Sequence, residues 1–300
     1  MIEYVLSLYR RLPVVRELRA IHDSLRQLHS LEPSIRRLET AVITQALATV
    51  KGSDPRYQDP RRLLASGAQY WSQNYEDGMI EEIFRRIGSP TKTFLEIGVG
   101  DGSENNTTAL LAQGWRGWWI DGDSSGCASI RQRLQSMPSI GKRLTLHEGL
   151  VAPATIQALL QQLSVPREVD LFSLDIDQDT YHIWAALDDF RPRVIVVEYN
   201  GALPPGIAWI HPYESGRTWD GTQAFGASLK AFEILGRRRG YSLVGCELLG
   251  ANAFFVREDL VGDRFAPPFT AENHYEPPRY GLNFRWAHKS SFFGESHSEG

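Results

Sequence analysis

The chain has few cysteines, no long uncharged apolar run and no excess of positive charge. Its two cysteines, Cys127 and Cys246, are too few for a disulfide scaffold or a four-cysteine zinc site, and only a single bridge between them stays open. No run approaches the ~18 apolar residues of a membrane span. The opening MIEYVLSLYRR is too short and too soon charged for a signal sequence. We therefore expect a cytoplasmic protein that does not insert into membranes.

The charge balance also excludes a class of partner. The 32 Lys and Arg residues face 36 Asp and Glu residues, which leaves a formal net charge of -4. No overall cationic field exists to attract phosphate backbones, so we expect no nucleic-acid partner. With 42% apolar and 23% charged residues, the chain is instead typical of a globular protein with one large core.

The first fifty residues carry a helical pattern. One apolar stripe precedes Pro33 and a second follows it, so the pattern predicts helix, break and helix, with Glu32 as an acid in the first turn of the second helix. The two stripes are Leu18, Ile21, Leu25 and Leu28, then Ile35, Leu38, Val42 and Ala46. Residues 1–50 would form either a self-association arm, giving a homo-oligomer, or a helical cap on the next domain. Residues 51–69 would be a linker.

From residue 70 to residue 261, short apolar runs alternate with helical patterns, as in an α/β domain with a mainly parallel sheet. The predicted strands are Thr93–Ile97, Gly117–Asp121, Leu144–His147, Val169–Asp175, Val194–Glu198, Tyr241–Cys246 and Ala253–Val256. The last two are too close in sequence for a crossover, so the seventh strand should be antiparallel. Residues 262–300, which contain two Pro-Pro pairs, are predicted to form an extended tail.

The sharpest local motif is TFLEIGVGDGSENNT, residues 93–107, in which Gly98, Gly100 and Gly102 follow an apolar strand. Glycines there allow a tight turn and a close approach to a ligand at the start of a helix. The next strand, RGWWIDGD, ends in Asp121 about twenty residues on, where a carboxylate can accept both ribose hydroxyls. Together they indicate an adenosine-binding site; the alternative is two ordinary turns after strands.

The spacing E-x-G-x-G-x-G and the terminal hairpin resemble class I S-adenosylmethionine-dependent methyltransferases, which have a Rossmann-like fold. Within that class, residues 70–260 resemble the FkbM-like methyltransferases often associated with polysaccharide and glycoside gene clusters. The matching segments are SQNYEDGMIEEIFRRIG, WRGWWIDGD, VDLFSLDIDQDTYHIW, PRVIVVEYN and FGASLKAFEILGRRRGYSLVGC. The resemblance implies that S-adenosylmethionine is held by Glu96, Gly98, Gly100 and Asp121, with Gln73 and Asp77 nearby. Gln178 departs from it, since the related pattern has glycine there.

An acidic group follows two neighbouring predicted strands. Asp175, Asp177 and Asp179 follow one strand, and Glu198 and Asn200 follow the next, at the edge where open parallel sheets bind ligands. Asp175, Glu198 and Asn200 would bind Mg²⁺ through hard oxygen ligands, a logic similar to that of catechol O-methyltransferase-like enzymes. Three alternatives stay open: direct contacts from Asp175 and Asp177 to the cofactor or acceptor, a helix cap at Asp177 or Asp179, or a general base created by repulsion between carboxylates.

A long connection, residues 201–225, is dense in Pro, Gly and aromatic residues. Loops of this length are typical of lids and binding loops, although a passive surface wrap is the alternative. The side chains suited to a sugar ring are Trp209, His211, Tyr213, Trp219 and Asp220. His211 is the histidine best placed to act as a general base, against the simpler interpretation of a solvated loop histidine. His182 is interpreted as a packing or surface residue.

These observations predict an S-adenosylmethionine-dependent O-methyltransferase acting on a hydroxyl of a sugar or of a glycosylated small molecule. Asp175 would help to bind the acceptor, and Asp177 or His211 would remove its proton. One alternative is a binding or assembly protein without turnover, and another is transfer to an amine or a carboxylate. The sequence lacks an NPPY-like or DPPY-like segment after the fourth strand, which argues against the usual nucleic-acid amino-methyltransferases.

Overall fold

A computed structural model describes residues 13–216 and 221–283 of the chain. Backbone contacts divide the chain into two units, with the boundary between Val50 and Lys51. The described part of the first unit is helical and belongs to α1, which spans Pro13–Ser53. The second unit contains a seven-stranded sheet and its helices.

Helix α1 is continuous, so the predicted break at Pro33 is wrong. Proline removes one amide donor from a helix, at a cost of about 3 kcal/mol, but the turns on either side keep their own hydrogen bonds. The Arg36 guanidinium also binds Glu32 across this turn, with 2.8 Å between Nη2 and Oε1, so Glu32 lies in mid-helix rather than in a first turn. The side chains of Leu18, Ile21, Leu25 and Leu28 lie outside the described residues.

Most of the second apolar stripe of α1 is exposed, whereas Ala46 at its end is half-buried. Leu31 extends the stripe in front of Pro33, and the side chains of Leu31, Ile35, Leu38 and Val42 are between 49% and 66% exposed. Their spacing of four, three and four residues places them on one helix face. This face has the pattern of a helix-packing surface, and its role in self-association stays a prediction.

The seven strands form one sheet in the order β3-β2-β1-β4-β5-β7-β6. Their bounds are β1 Thr93–Ile97, β2 Arg116–Asp121, β3 Leu144–Glu148, β4 Leu171–Leu174, β5 Val194–Glu198, β6 Tyr241–Cys246 and β7 Asn252–Arg257. Strands β1 to β5 pair in parallel, and β7 is antiparallel to both β5 and β6. This is the predicted Rossmann-like, mainly parallel sheet of seven strands with an antiparallel last strand.

Helices connect and cover these strands. Their bounds are α2 Glu76–Ile87, α3 Thr108–Ala112, α4 Ser124–Gln135, α5 Pro138–Gly141, α6 Ile156–Gln162, α7 Thr180–Ala186, α8 Leu229–Arg238, α9 Glu258–Val261 and α10 Ala271–His274. Helix α8 begins after Ser228, whose hydroxyl accepts a hydrogen bond from the amide of Ala231 at 3.2 Å. Gly240, with φ 77°, follows its end in the left-handed conformation that glycine favours.

The central strands are buried because helices cover both faces of the sheet. Strand β5, with the sequence VIVVE, has four side chains that are at most 1% exposed. Trp115, Trp118 and Trp119, in or just before β2, are also buried. Cys127 and Cys246 are buried free thiols. Within the described residues, no helix is both long enough and apolar enough to span a bilayer.

Segments on either side of the predicted domain also pack into the second unit. The predicted linker contains two short 3-10 helices, Pro55–Gln58 and Leu64–Ser66. Tyr57 is buried, and its hydroxyl donates to Glu276 in the tail at 2.6 Å. The described part of the tail, residues 262–283, is therefore held against the body, and it contains α10 and the 3-10 helix Tyr280–Leu282.

Candidate active site

A cavity of about 540 Å³ lies at the carboxyl ends of β1, β2 and β4. Its lining residues come from the turns that follow these strands and β3. They include the predicted site residues Gly98, Gly100, Asp121, Asp175 and Asp177. Five residues that the sequence predicted separately, for cofactor binding or for catalysis, therefore share one cavity.

Gly98 brings the turn after β1 against the turn after β4. Its φ is 87°, and a Cβ atom at this position would overlap the carbonyl oxygen of Asp175. The backbones are joined at the same place, since the amide of Asp175 donates to Ile97 at 3.0 Å. Only glycine fits this close approach of two backbones.

Asp121 holds the glycine turn. Its Oδ2 atom accepts hydrogen bonds from the amides of Val99 and Gly100, both at 2.6 Å. Its Oδ1 atom accepts from the amide of Asp123 at 2.7 Å. The carboxylate therefore organises the turns after β1 and β2 and also lines the cavity, where a ribose would lie.

Glu96 is buried beneath this turn and is not among the residues that line the cavity. Its carboxyl group accepts hydrogen bonds from the amides of Asn106 and Thr107 at 2.9 Å and 3.2 Å, and from the Thr107 hydroxyl. Burial raises the pKa of Glu96 from 4.5 to about 7. Its observed role is to fix the approach to α3, and its contact with a cofactor stays a prediction.

Gln73 and Asp77 lie in the segment of residues 69–77 and do not line the cavity. Asp77 is buried, and its Oδ2 atom accepts from the amides of Tyr70, Trp71 and Ser72 at 2.6–2.8 Å. Gln73 is exposed, and its carbonyl accepts from Asn283 at 3.1 Å. The structure therefore gives Asp77 a role in shaping this segment.

The acidic cluster consists of Asp175, Asp177 and Glu198, each of which offers a carboxylate oxygen within 4.8 Å of the other two. Asp175 and Glu198 lie close enough for their charges to repel each other when both are ionised. Glu198 Oε2 is buried and has no hydrogen-bond partner in the described part of the chain. A divalent cation would satisfy this oxygen and offset the repulsion between the carboxylates, so these oxygen ligands suit Mg²⁺.

Burial and mutual repulsion shift the pKa of each group in the cluster. Burial, together with the charge of Asp177, raises the pKa of Asp175 to about 6. Burial and then the charge of Asp175 raise the pKa of Glu198 well above its usual range. A proton, a positive charge or a hydrogen-bond donor at the cluster would relieve this repulsion.

The acidic cluster differs from the predicted Mg²⁺ ligands at one residue. The side chain of Asn200 binds backbone groups outside the cluster, and Asp177 takes its place. The Asn200 amide donates to the carbonyls of Gln223 and Phe225 at 2.7 Å and 3.0 Å. Its Oδ1 atom accepts from the amide of Ala202 at 3.2 Å. The prediction assumed an extended chain past Glu198, but β5 ends there and the chain turns at Asn200.

His211 is buried within the long connection and does not line the cavity. Its Nδ1 atom donates to the carbonyl of Pro212 at 2.9 Å, so Nε2 is the basic nitrogen of the neutral ring. The His211 carbonyl accepts from His182 Nε2 at 2.7 Å. Its role as a general base stays a prediction. Trp219 and Asp220 lie outside the described residues.

Sequence reasoning missed a buried polar chain behind the acidic cluster. Glu76 Oε1 accepts from the side-chain amides of Asn74 and Asn252 at 3.0 Å and 2.7 Å. Asn252 lies opposite Glu198 in the β5–β7 pairing, and the charge of Glu76 contributes to the raised pKa of Asp175. Glu76 has the sequence signature of an ordinary acid in a first helical turn, and only the fold reveals its burial.

The turn after β4 also differs from the predicted helix cap. Asp179 occupies the N-cap position of α7 but makes no capping hydrogen bond through its side chain. The Thr180 hydroxyl instead accepts from the amide of Ile176 at 3.2 Å. Asp177, which has φ 52°, is exposed and lines the cavity, so it is available to a ligand.

No protein-family model matches the sequence, and no curated protein matches it. Several solved structures are similar to parts of it. Magnesium protoporphyrin IX methyltransferase from Synechocystis PCC 6803, with bound SAH, is 14% identical over 61% of this chain and 81% of its own, with a TM-score of 0.41. The methyltransferase domain of bacterial CtHen1-C is 15% identical over 61% of this chain and 97% of its own, with a TM-score of 0.40.

The glycopeptide N-methyltransferase MtfA is a third similar structure. It is 15% identical over 68% of this chain and 98% of its own, with a TM-score of 0.38. The finer resemblance to FkbM-like methyltransferases stays a prediction.

Proposed function

We propose that this chain is an S-adenosylmethionine-dependent methyltransferase that methylates a hydroxyl of a sugar or of a glycosylated small molecule. The observation that carries the proposal is the single cavity lined by the glycine turn, Asp121 and two members of the acidic cluster, Asp175 and Asp177. A donor site and an acidic acceptor site side by side are what methyl transfer to a weakly acidic hydroxyl requires.

On the donor side, the chain's own groups position the ligand. Asp121 would accept hydrogen bonds from ribose hydroxyls while its contacts to Val99 and Gly100 keep the turn in place. The open space beside Gly100, where a Cβ atom would meet nothing within 4 Å, leaves room for close approach of the ligand. S-adenosylmethionine, when bound, supplies an already activated methyl group, so alignment and exclusion of water account for most of the catalysis.

On the acceptor side, Asp175, Asp177 and Glu198 would bind the hydroxyl that is methylated. Asp177 is the member of the cluster that is exposed at the cavity, so it is the residue we assign to removing the hydroxyl proton. The same three carboxylates would hold Mg²⁺, which would stabilise negative charge on the acceptor oxygen. Glu198 Oε2, buried without a partner in the described chain, is the observation that supports this cation.

Calorimetric titration with S-adenosylhomocysteine, followed by methyl transfer from labelled donor to a panel of glycosides, amines and carboxylic acids, tests the proposal. We expect donor binding and O-methyl products. Binding without any product would favour a binding or assembly protein, and N-methyl or ester products would change the acceptor class. No binding of S-adenosylhomocysteine would overturn the proposal.

A chelator experiment tests the cation separately. We expect EDTA to abolish methyl transfer and added Mg²⁺ to restore it, because the cation would bind the clustered carboxylates and stabilise negative charge on the acceptor oxygen. Full activity in the presence of EDTA would remove the cation from the scheme and leave the carboxylates to act alone.

A further inference from the structure

Asn252, the first residue of β7, lies beside the acidic cluster. It is paired with Glu198 in the antiparallel β5–β7 ladder. In the next pair, the amide of Tyr199 donates to the carbonyl of Ala251 at 2.9 Å. Because hydrogen-bonded and non-hydrogen-bonded pairs alternate along such a ladder, Glu198 and Asn252 form a non-hydrogen-bonded pair. Their side chains project from the same face of the sheet, with Cβ atoms about 4.5–5.5 Å apart, so the two side chains are direct neighbours.

Glu76 fixes the orientation of the Asn252 amide. The Nδ2 atom of Asn252 donates to Glu76 Oε1 at 2.7 Å. The amide cannot be reversed, since a reversed amide would place two acceptor oxygens against each other. Asn252 is only 4% exposed, and its Oδ1 atom has no hydrogen-bond partner in the described part of the chain. This oxygen is therefore held in place, buried and unsatisfied.

Two unsatisfied buried oxygens belong to this one cross-strand pair. Glu198 Oε2 also has no hydrogen-bond partner among the described residues. Glu247 precedes β7 and is hydrogen bonded to Asn252 through its backbone amide. Its carboxyl oxygens accept from the amides of Leu249 and Ala251 at 2.7 Å and 2.6 Å, so this neighbour is satisfied. Buried polar atoms are seldom left without a partner, so the pair of Glu198 and Asn252 calls for one.

The surroundings favour a cation as that partner. Asp175, Asp177 and Glu198 each offer a carboxylate oxygen within 4.8 Å of the other two. None of the described residues that line the adjoining cavity is Lys, Arg or His, so no basic side chain there neutralises these carboxylates. Carboxylate oxygens and side-chain amide oxygens are the ligands that Mg²⁺ and Ca²⁺ take in proteins. Asp175 and Asp177 also line the cavity, which gives a cation a route to the cluster.

We propose that Asn252 Oδ1 is a ligand of a divalent cation bound at the acidic cluster. This inference rests on the proposed function for the presence of the cation. The side-chain amide that the sequence assigned to Asn200 is thereby supplied by Asn252, from a strand that follows in the chain by about fifty residues. The antiparallel last strand of the sheet then contributes directly to the cation site.

Mn²⁺ binding to the full chain tests the inference. The electron paramagnetic resonance signal of free Mn²⁺ reports binding, and added Mg²⁺ should displace the ion. The proteins are the wild type, Asn252→Ala, Glu198→Gln and the control Asn200→Ala. Asn200 is a buried asparagine two residues after Glu198, and its amide donates to backbone carbonyls of the long connection. The control therefore removes the same chemical group nearby without removing a proposed ligand.

We expect Asn252→Ala to weaken Mn²⁺ binding by at least about tenfold, or about 1.4 kcal/mol, because a fixed protein ligand is lost. Glu198→Gln should weaken it by at least about a hundredfold, since a charged ligand is lost. Asn200→Ala should stay within about threefold of the wild type. Guanidinium denaturation of each variant checks that it is folded.

A crystal of the wild type soaked in Mn²⁺ decides the question if Asn252→Ala does not fold. The anomalous signal of Mn²⁺ should lie about 2.0–2.6 Å from Asn252 Oδ1, the range of bonds between hard cations and oxygen. Mn²⁺ bound to the carboxylates without contact to this oxygen would overturn the inference.

Equal Mn²⁺ affinities of the wild type and a folded Asn252→Ala would also overturn it, as would an equal loss in Asn200→Ala. A wild type that binds neither Mn²⁺ nor Mg²⁺ would overturn the inference and remove the cation from the proposed function, while calorimetry with S-adenosylhomocysteine would still test the rest of that function. A wild type that binds Mn²⁺ through Asn252 but does not bind S-adenosylhomocysteine would contradict the proposed function and support the inference.

Discussion

The two sides of the cavity satisfy their carboxylates in different ways. On the donor side, Asp121 and Glu96 accept hydrogen bonds from amides in the turns they organise. On the side of the proposed acceptor, Asp175 and Glu198 repel each other, and Glu198 Oε2 has no partner among the described residues. The carboxylates on the proposed donor side are thus satisfied by the chain itself, whereas those on the proposed acceptor side would be stabilised by a proton donor or a cation.

The largest expected effect comes from Gly98→Ala, which would break the contact between the two sides. The new methyl group would overlap the Asp175 carbonyl, and the φ of 87° adds strain. We expect a loss of at least about 4 kcal/mol in the free energy of unfolding, measured by guanidinium denaturation. Binding of S-adenosylhomocysteine should fall below detection.

Gly100→Ala is the matched control. Gly100 also has positive φ, at 52°, but a Cβ atom there meets nothing within 4 Å. Its substitution should cost only about 1 kcal/mol, from backbone strain alone. Equal costs at the two positions would show that the contact with Asp175 is unimportant.

The next effect concerns the pH dependence of stability, to which the buried Glu96 contributes. The folded chain keeps the Glu96 proton between its ordinary pKa of 4.5 and its raised pKa of about 7, a range in which the unfolded chain loses it. The corresponding stability is present below pH 4.5 and is lost as the pH rises through 7, by roughly 3 kcal/mol in total. Denaturation at a series of pH values measures this slope.

Glu96→Gln should flatten that slope because glutamine imitates the protonated carboxyl. Part of the slope should remain, since Asp175 and Glu247 also have raised pKa values, of about 6 and about 8. An unchanged slope in the variant would mean that Glu96 does not hold a proton in this range.

The third prediction separates the two sides by function. Glu198→Gln should lower turnover by about a hundredfold, because glutamine cannot supply the carboxylate that the proposed cation would bind. Its affinity for S-adenosylhomocysteine should stay within about twofold of the wild type. Asp121→Ala should instead weaken that affinity by at least about tenfold, since it removes a charged hydrogen-bond acceptor from the donor side.

Calorimetry and initial rates distinguish these outcomes. Glu198→Gln affecting donor binding as much as Asp121→Ala would contradict the division of the cavity into two sides.

The smallest expected effect, on the free energy of unfolding, concerns Ser228, whose hydroxyl binds the backbone of the long connection. The Ser228 hydroxyl accepts from the amides of Trp209 and Ala231 at 2.9 Å and 3.2 Å. Ser228→Ala should therefore lower the free energy of unfolding by about 1 kcal/mol. The control Ser129→Ala, at a half-buried position within α4 where the hydroxyl only donates to the Ser125 carbonyl of the same helix, should change it by less than about 0.5 kcal/mol. Equal effects would rule out a capping role for Ser228.

The sheet and the donor side could be predicted because their signals are local. Strands β1 and β5 have the predicted bounds, since short apolar runs between turns correspond directly to buried strands. The glycine turn and Asp121 meet because the carboxyl ends of neighbouring parallel strands share one edge of the sheet. Both inferences need only strand order and direction.

The acceptor side could be predicted only in part, because it depends on where the chain leaves the sheet. Asp175 and Glu198 meet as expected, but Asn200 turns away to bind Gln223 and Phe225. The left-handed backbone of Asp177 and the burial of Glu76 depend on packing between distant segments, which no spacing in the sequence reports.

The continuous helix at Pro33 and the attachment of residues 275–283 could not be predicted from the sequence, for a different reason. A proline predicts a helix break only when the surrounding turns cannot compensate, and α1 continues through it. Residues 275–283 are attached to the body mainly through backbone carbonyls, at Leu248, Leu249 and Gln73. Carbonyl acceptors occur at every residue, so they leave no mark on a sequence.

The close contact between the backbones of Gly98 and Asp175 has a consequence for protein engineering and for evolution. With no space for a single methyl group between them, the loops after β1 and β4 cannot be exchanged one at a time with those of another protein. A chimaera that imports one loop should fail, and one that imports both should fold. The two loops should accordingly be inherited, and transplanted, as a pair.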